Sequence, residues 1–345
     1  VTTFTVNKLT NNSQDDTNPQ VSSYGDVIWE HKYSNSDIDL YYYDSITGET
    51  KYPATTGKNE TNPQISGYGD AVYEYQYSTT DTDVYLYRYD TDTSTPIATS
   101  SHNETNPHIS GSNVVYEYEF SSTDTDLKLY NMGSGVTTTI ANSSKNELNP
   151  DIAGNYVAYE YDYSSTDTDL KLYNIANGTT TTIANSGHNE VNPDVSSTGD
   201  VVYEYEYSST DTDIYMYDAL TGTHDLATSG YDEVNPEIAG NFVTWQAWDG
   251  SDWEIYRYNK ATNTTTQVTN NSVNDVNAQV SDQGYVVWEH DYSPTDTDVY
   301  LYDGATTLSL ANSGYDEINP QITGSNATWQ AWDGTDWEVY SAQIF

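Results

Sequence analysis

Asn189-Glu190-Val191-Asn192-Pro193-Asp194-Val195-Ser196 leads through a Gly199-Asp200 turn into Val201-Val202-Tyr203-Glu204-Tyr205-Glu206-Tyr207. Both apolar-alternating runs read as β-strands separated by a tight turn. Ser208-Ser209-Thr210-Asp211-Thr212-Asp213 follows as a polar loop, Ile214-Tyr215-Met216-Tyr217 as a third strand, Thr221-Gly222 as a turn and His224 to Ala227 as a fourth strand. Pro193 is expected at the start of the first strand, where a missing N–H is tolerated. The same unit recurs along the chain. Its Asn-Pro step stands at Asn18, Asn62, Asn106, Asn149, Asn192, Asn235 and Asn319, and as Asn-Ala at Asn277, with spacings of 42 to 44 residues. A four-stranded unit that cannot bury both faces alone must stack on copies of itself.

The chain ends predict how the stack closes. Lys8-Leu9-Thr10-Asn11-Asn12-Ser13 matches Gln267-Val268-Thr269-Asn270-Asn271-Ser272, the fourth strand of another copy. The last copy, from Asn319, supplies three strands and stops at Phe345. The extra strand at one end therefore completes the blade left short at the other, which leaves no unpaired repeat interface. The expected fold is all-β: an eight-bladed β-propeller of four-stranded antiparallel blades, closed by the N-terminal strand. It is read as one domain over residues 1–345, with 1–17 as the outer strand of blade 8 and blades starting near 18, 62, 106, 149, 192, 235, 277 and 319.

Composition agrees with a strand-built core. Tyr numbers 35 and Trp 8 against 4 Phe, and Cys is absent, so neither disulfides nor thiolate chemistry enter. Asp and Glu total 53 against 10 Lys and Arg, for a formal charge of −43. That field repels nucleic acid and anionic lipid and attracts cations. No apolar run approaches a membrane span, and the opening Val1-Thr2-Thr3-Phe4 fits a trimmed secreted chain.

With Asn-Pro, a Gly turn, an aromatic strand, Asp249 to Tyr256 (Asp-Gly-Ser-Asp-Trp-Glu-Ile-Tyr) and its partner Asp333 to Tyr340, the whole chain resembles TolB-like propeller repeats. Propellers of that type include periplasmic partner-binding proteins, cell-surface proteins, polysaccharide lyases and accessory domains of peptidases, so the resemblance implies a fold more than an activity. Its metal-dependent lyases need several His at one site, and the six His of this chain are dispersed.

Two acidic sets are expected on one face. One comprises Asp16, Glu60, Glu104, Glu147, Glu190, Glu233, Asp275 and Glu317, each two residues before its Asn. The other is the Asp-x-Asp or Asp-x-Glu of the loop between strands two and three: Asp37 with Asp39, Asp81 with Asp83, Asp124 with Asp126, Asp167 with Asp169, Asp211 with Asp213, Asp252 with Glu254, Asp296 with Asp298, and Asp336 with Glu338. Closely spaced carboxylates suit Ca²⁺, a hard cation that takes oxygen ligands, and the Asp-x-Asp set forms the candidate metal site. Asp and Asn also serve tight loops by accepting backbone N–H groups. The strand-two acid, Glu30, Glu74, Glu117, Glu160, Glu204 and Glu289, becomes Gln246 and Gln330 in two blades. An amide keeps the acceptor and loses the charge, which argues for structural bonding rather than acid catalysis.

Departures from eightfold symmetry mark candidate ligand sites. All Trp fall in blades 6, 7, 8 and 1; Trp248 with Trp253 and Trp332 with Trp337 flank the acidic loop and could stack on sugar rings. After each Asn-Pro comes a residue expected to look into the central channel, and His108, Asp151, Asp194 and Glu237 stand there in consecutive blades, where others carry Gln20, Gln64, Gln279 and Gln321. No catalytic residue emerges. The expected role is a secreted or cell-surface structural and interaction propeller whose acidic face takes Ca²⁺ or a partner, either protein or glycan, with self-assembly in an extracellular structure. The alternative is a carbohydrate-active enzyme or lectin-like module using the funnel or the Trp-rich arc.

Overall fold

A computed structural model describes residues 2–345. The fold is an eight-bladed β-propeller, all-β, with each blade a four-stranded antiparallel sheet in up-and-down order. Blade 5 shows the pattern: Asn189–Val195, Val201–Ser208, Asp211–Asp218 and Gly222–Ala227 pair consecutively. Blade 8 is composite. Glu317–Thr323, Asn326–Trp332 and Trp337–Ile344 are joined by Phe4–Lys8, whose register runs from Phe4 opposite Ile344 to Lys8 opposite Tyr340. The outer strand is thus shorter than residues 1–17, because Asp15–Val21 already forms the first strand of blade 1.

Two compact units can be distinguished, Val1–Pro107 with Val273–Phe345, and His108–Ser272. Within each, the core lies in strips between successive blades. In the first, Ile28, Leu40 and Tyr42 of blade 1 pack on Ala71, Tyr73 and Tyr87 of blade 2. In the second, Leu170, Leu172 and Ile183 of blade 4 pack on Val195, Val201 and Tyr203 of blade 5. One large aromatic per blade fills the same strand-two position: Trp29, Trp245, Trp288 and Trp329 are fully buried there, as are Tyr73, Tyr159 and Tyr203 to within a few per cent. Four of the eight Trp are therefore core residues.

The Asn-Pro step lies inside the first strand, not at its start. Pro193 belongs to Asn189–Val195, and the register against the second strand jumps between Val191 and Asp194. This is a β-bulge, which removes Pro from the ladder and so tolerates its missing N–H. Every Asn of the step is left-handed, with φ between 48° and 57°. Asn is the side-chain-bearing residue best suited to that region. The bulge turns the Asn N–H out of its own sheet and toward the neighbouring blade.

Candidate cation sites at the blade junctions

That outward N–H meets the strand-two acid of the preceding blade. Glu30 accepts from Asn62 at 2.9 Å, Glu74 from Asn106 at 2.8 Å, Glu160 from Asn192 at 2.9 Å, Glu204 from Asn235 at 2.7 Å and Glu289 from Asn319 at 2.7 Å. Gln330 does the same for Asn18 at 2.8 Å, so the amide preserves the clamp as its acceptor chemistry requires. These glutamates join one blade to the next.

The second acidic set is built differently. Both Asp of each Asp-x-Asp begin the third strand, as in Asp167–Asn174, and the Glu of the next blade begins or nearly begins its first strand, as in Asn189–Val195. The two come together across the junction. Six trios result, each within one unit: Asp37, Asp39 and Glu60; Asp81, Asp83 and Glu104; Asp124, Asp126 and Glu147; Asp167, Asp169 and Glu190; Asp211, Asp213 and Glu233; Asp296, Asp298 and Glu317. Hydrogen bonds from the third-strand backbone fix the approach, for example Ile38 N–H to the Lys58 carbonyl at 3.2 Å and Thr168 N–H to the Asn189 side-chain Oδ1 at 3.2 Å.

Each Glu of a trio is buried, from 0% exposed at Glu60 to 2% at Glu317. Its Oε1 takes a hydroxyl four residues upstream, Thr56 for Glu60, Ser143 for Glu147, Ser186 for Glu190, Ser229 for Glu233 and Ser313 for Glu317. Its Oε2, at Glu60, Glu147, Glu190, Glu233 and Glu317, is buried without a partner. So is an Asp Oδ1 in every trio, at Asp39, Asp81, Asp124, Asp167, Asp211 and Asp296, with Asp169 and Asp298 in addition. Burial, then the neighbouring aspartates against the hydroxyl bond, pushes Glu60, Glu190, Glu233 and Glu317 up to about 7. Asp83 rises to about 6 for the same reasons, burial first and then Asp81 and Glu104.

Buried carboxylate oxygens without donors are costly, and a cation, a proton or a bound water removes the cost. The donor set is all hard oxygen and fits Ca²⁺, which takes six to eight such ligands. Among the described residues, three carboxylate oxygens come within 4.8 Å of one another at Asp249, Asp252 and Glu254 and at Asp333, Asp336 and Glu338. The six trios are more open, so a cation there would share its shell with water. Blades 1 and 7 satisfy their acid internally: Asp16 takes His31 Nδ1 at 2.7 Å and Trp29 Nε1 at 2.8 Å, and Asp275 takes His290 and Trp288 at the same distances. The Asp275 hydrogen bond raises the His290 pKa, against desolvation.

The sequence singled out the aspartates but not the trio's glutamate as a ligand. Its signal was the co-occurrence in six units of Ser or Thr four residues before that Glu. A row of exposed aromatics was also missed. Tyr33, Tyr77 and Tyr292 in one unit and Phe120, Tyr163 and Tyr207 in the other are 53% to 68% exposed, each four residues before the first Asp of its Asp-x-Asp.

The other candidates are placed as follows. Trp248 meets Trp253, and Trp332 meets Trp337, edge to face at 5.6 Å, each half-buried against its partner. His108, Asp151 and Asp194 form a chain along successive first strands. His108 Nδ1 is 3.5 Å from Asp151, Asp151 Oδ2 accepts Val195 N–H at 2.9 Å, and Asp194 Oδ2 accepts Ile238 N–H at 2.5 Å. The Asp151 and Asp194 carboxyls share a hydrogen bond, and Glu237 adds its charge beside Asp194. Donors from His108, Asp194 and Val195 outweigh burial and hold Asp151 low, whereas burial and then the charges of Asp151 and Glu237 drive Asp194 well up. The opposite directions are those expected of two carboxyls that share one proton.

No protein family matches the sequence, and no curated protein is similar to it. Solved structures are similar in fold. The computationally designed Ika8 protein has a TM-score of 0.64 at 14% identity, with 96% of this chain and 98% of that chain covered. The β-propeller domain of the Trilobed protease from Pyrococcus furiosus has 0.62 at 11% identity over 88% and 97%. An oligogalacturonate lyase solved with manganese has 0.58 at 12% identity over 99% and 93%. TolB from Acinetobacter baumannii is a more distant match, at 0.43 and 14% identity. At these identities the likeness is one of fold.

Proposed function

We propose that this chain is a non-catalytic interaction propeller working outside the cell, stabilised by Ca²⁺ bound between its blades. The observation that carries the reading is the buried, unpartnered Oε2 of five junction glutamates, each beside an Asp-x-Asp. A single such group could be an accident of packing, but recurrence at one repeat position is a built feature. Open carboxylate sites completed by water suit the weak, millimolar end of calcium affinity, which is the extracellular regime. The exposed aromatic beside each Asp-x-Asp offers a partner, protein or glycan, an amphipathic contact of the kind enriched at binding surfaces.

The test is thermal unfolding in chelator and in millimolar Ca²⁺, with bound metal counted by elemental analysis. Calcium is expected to raise the melting temperature and to be bound at several ions per chain at equilibrium in millimolar Ca²⁺. Unfolding indifferent to Ca²⁺, with no metal bound, sinks the proposal.

A further inference from the structure

Blades 6 and 8 replace Asp-x-Asp by a different turn, Asp249-Gly250-Ser251-Asp252-Trp253-Glu254 and Asp333-Gly334-Thr335-Asp336-Trp337-Glu338. The two fold alike. Asp249 Oδ1 accepts Ser251 N–H at 2.8 Å and Asp252 N–H at 3.2 Å; Asp333 Oδ1 accepts Thr335 N–H at 3.0 Å and Asp336 N–H at 3.4 Å. In both turns the first Asp N–H bonds the second Asp carbonyl at 3.1 Å. The three carboxylates of each group meet within 4.8 Å.

The outer strands beside them also correspond. Thr269 Oγ1 accepts Ile255 N–H at 2.7 Å, as Thr10 Oγ1 accepts Val339 N–H at 2.8 Å. Asn271 N–H donates to Glu254 at 2.6 Å, as Asn12 N–H donates to Glu338 at 3.2 Å. Gln267 lies opposite Tyr256, as Lys8 lies opposite Tyr340. That last correspondence is where the copies differ in charge. Lys8 Nζ stands 3.2 Å from Glu338 and 3.7 Å from Asp333, so the blade 8 cluster holds an ammonium supplied by its own chain. In blade 6 the equivalent position offers a neutral, exposed amide.

We infer that Asp249, Asp252 and Glu254 form a binding site for a free hard cation of the calcium class, in the place that Lys8 takes in blade 8. A second observation supports it. Asp252 is 5% exposed, and its Oδ2 is buried without a partner while Oδ1 is held by Ser251. Three carboxylates this close repel one another, and a divalent ion with oxygen ligands cancels the repulsion more fully than an amide can. The inference does not depend on the junction trios.

The experiment uses Tb³⁺ as a luminescent calcium surrogate on the full chain, excited at the red edge of the indole band, where tyrosine does not absorb. Trp248 and Trp253 flank the blade 6 cluster and serve as its antenna. Wild type is expected to show indole-sensitised emission that excess Ca²⁺ quenches. Gln267→Lys should lose it and melt higher in chelator, and Lys8→Gln should gain a second emitting site between Trp332 and Trp337. Glu317→Gln, at the junction whose pocket also holds Trp329 and Trp332, should leave the emission that Gln267→Lys removes, which separates this site from the junctions. Asp252→Asn, losing the same emission, confirms the ligand should Gln267→Lys fail to fold. Emission absent from wild type, or equal in wild type, Gln267→Lys and Asp252→Asn, overturns the assignment.

Discussion

The Glu160 carboxylate accepts the backbone N–H of Asn192 at 2.9 Å across a blade junction, while its other oxygen takes Asn149 Nδ2 at 3.0 Å. One side chain therefore holds the bulges of two blades. Glu160→Ala leaves both donors unpaired and is expected to cost about 1–3 kcal/mol, read as a lower urea midpoint. Glu160→Gln keeps the acceptor for Asn192 N–H, as Gln330 does for Asn18, but turns the other oxygen into a donor facing Asn149 Nδ2, so it should lose less than Glu160→Ala without being neutral. Equal losses for both variants would show that charge, not the bond, matters there.

Glu190→Gln at the junction of blades 4 and 5 separates binding from folding. It should remove one Ca²⁺ from the titrated stoichiometry. Each occupied site stabilises by about 2.7 kcal/mol at a hundredfold excess over its dissociation constant, and the variant forgoes one such increment. In chelator the sign reverses, because an amide needs no proton to lie beside Asp167 and Asp169. Scanning calorimetry of the two proteins with and without Ca²⁺ checks both signs.

The pH dependence follows from the same glutamates. In the folded, ion-free chain Glu60, Glu190, Glu233 and Glu317 are pushed up to about 7, above the ordinary glutamate value of 4.5. The folded state then binds more protons than the unfolded one between those values, so stability falls as pH rises. It is greatest near the unfolded carboxylate pKa, declines through neutrality and levels off above about 7. Saturating Ca²⁺ should abolish the decline. Melting temperatures that rise from pH 5 to pH 7 in chelator would contradict the assignment.

The Asp151 and Asp194 pair should respond asymmetrically to amide replacement. With Asp151 held low and Asp194 driven up, the shared proton is expected on Asp194, so Asp194→Asn retains a donor toward Asp151. Asp151 accepts from Asp194, His108 and Val195, so Asp151→Asn turns one acceptor into a donor facing donors. The second variant should lose about 1–3 kcal/mol more than the first, measured by chemical unfolding at neutral pH. Equal losses would refute the proton's placement.

The fold was legible because its signals are local and repeated. Period, strand alternation and the match between Lys8–Ser13 and Gln267–Ser272 each state a neighbour relation in one dimension. The Asn-Pro bulge was not, since Pro at a strand start and Pro at a bulge read identically until the register is known. Half of the candidate site was visible. Asp167 and Asp169 sit two apart in sequence, but the Glu190 that meets them belongs to the next blade. Trp29 and Trp248 likewise look alike as letters, yet one fills the core and the other is half-exposed, because a strand's face is set by register.

Blade 8 closes with Phe4 opposite Ile344, and Thr3 and Phe345 exchange backbone hydrogen bonds at 3.2 Å and 2.8 Å. Both ends of the described chain leave from the same end of an antiparallel ladder. A load applied through them peels that ladder one rung at a time instead of shearing all its rungs together. The seam that closes the blade is thus weak toward a load applied through Thr3 and Phe345, and should give way at a lower force there than when the same blade is pulled across its strands.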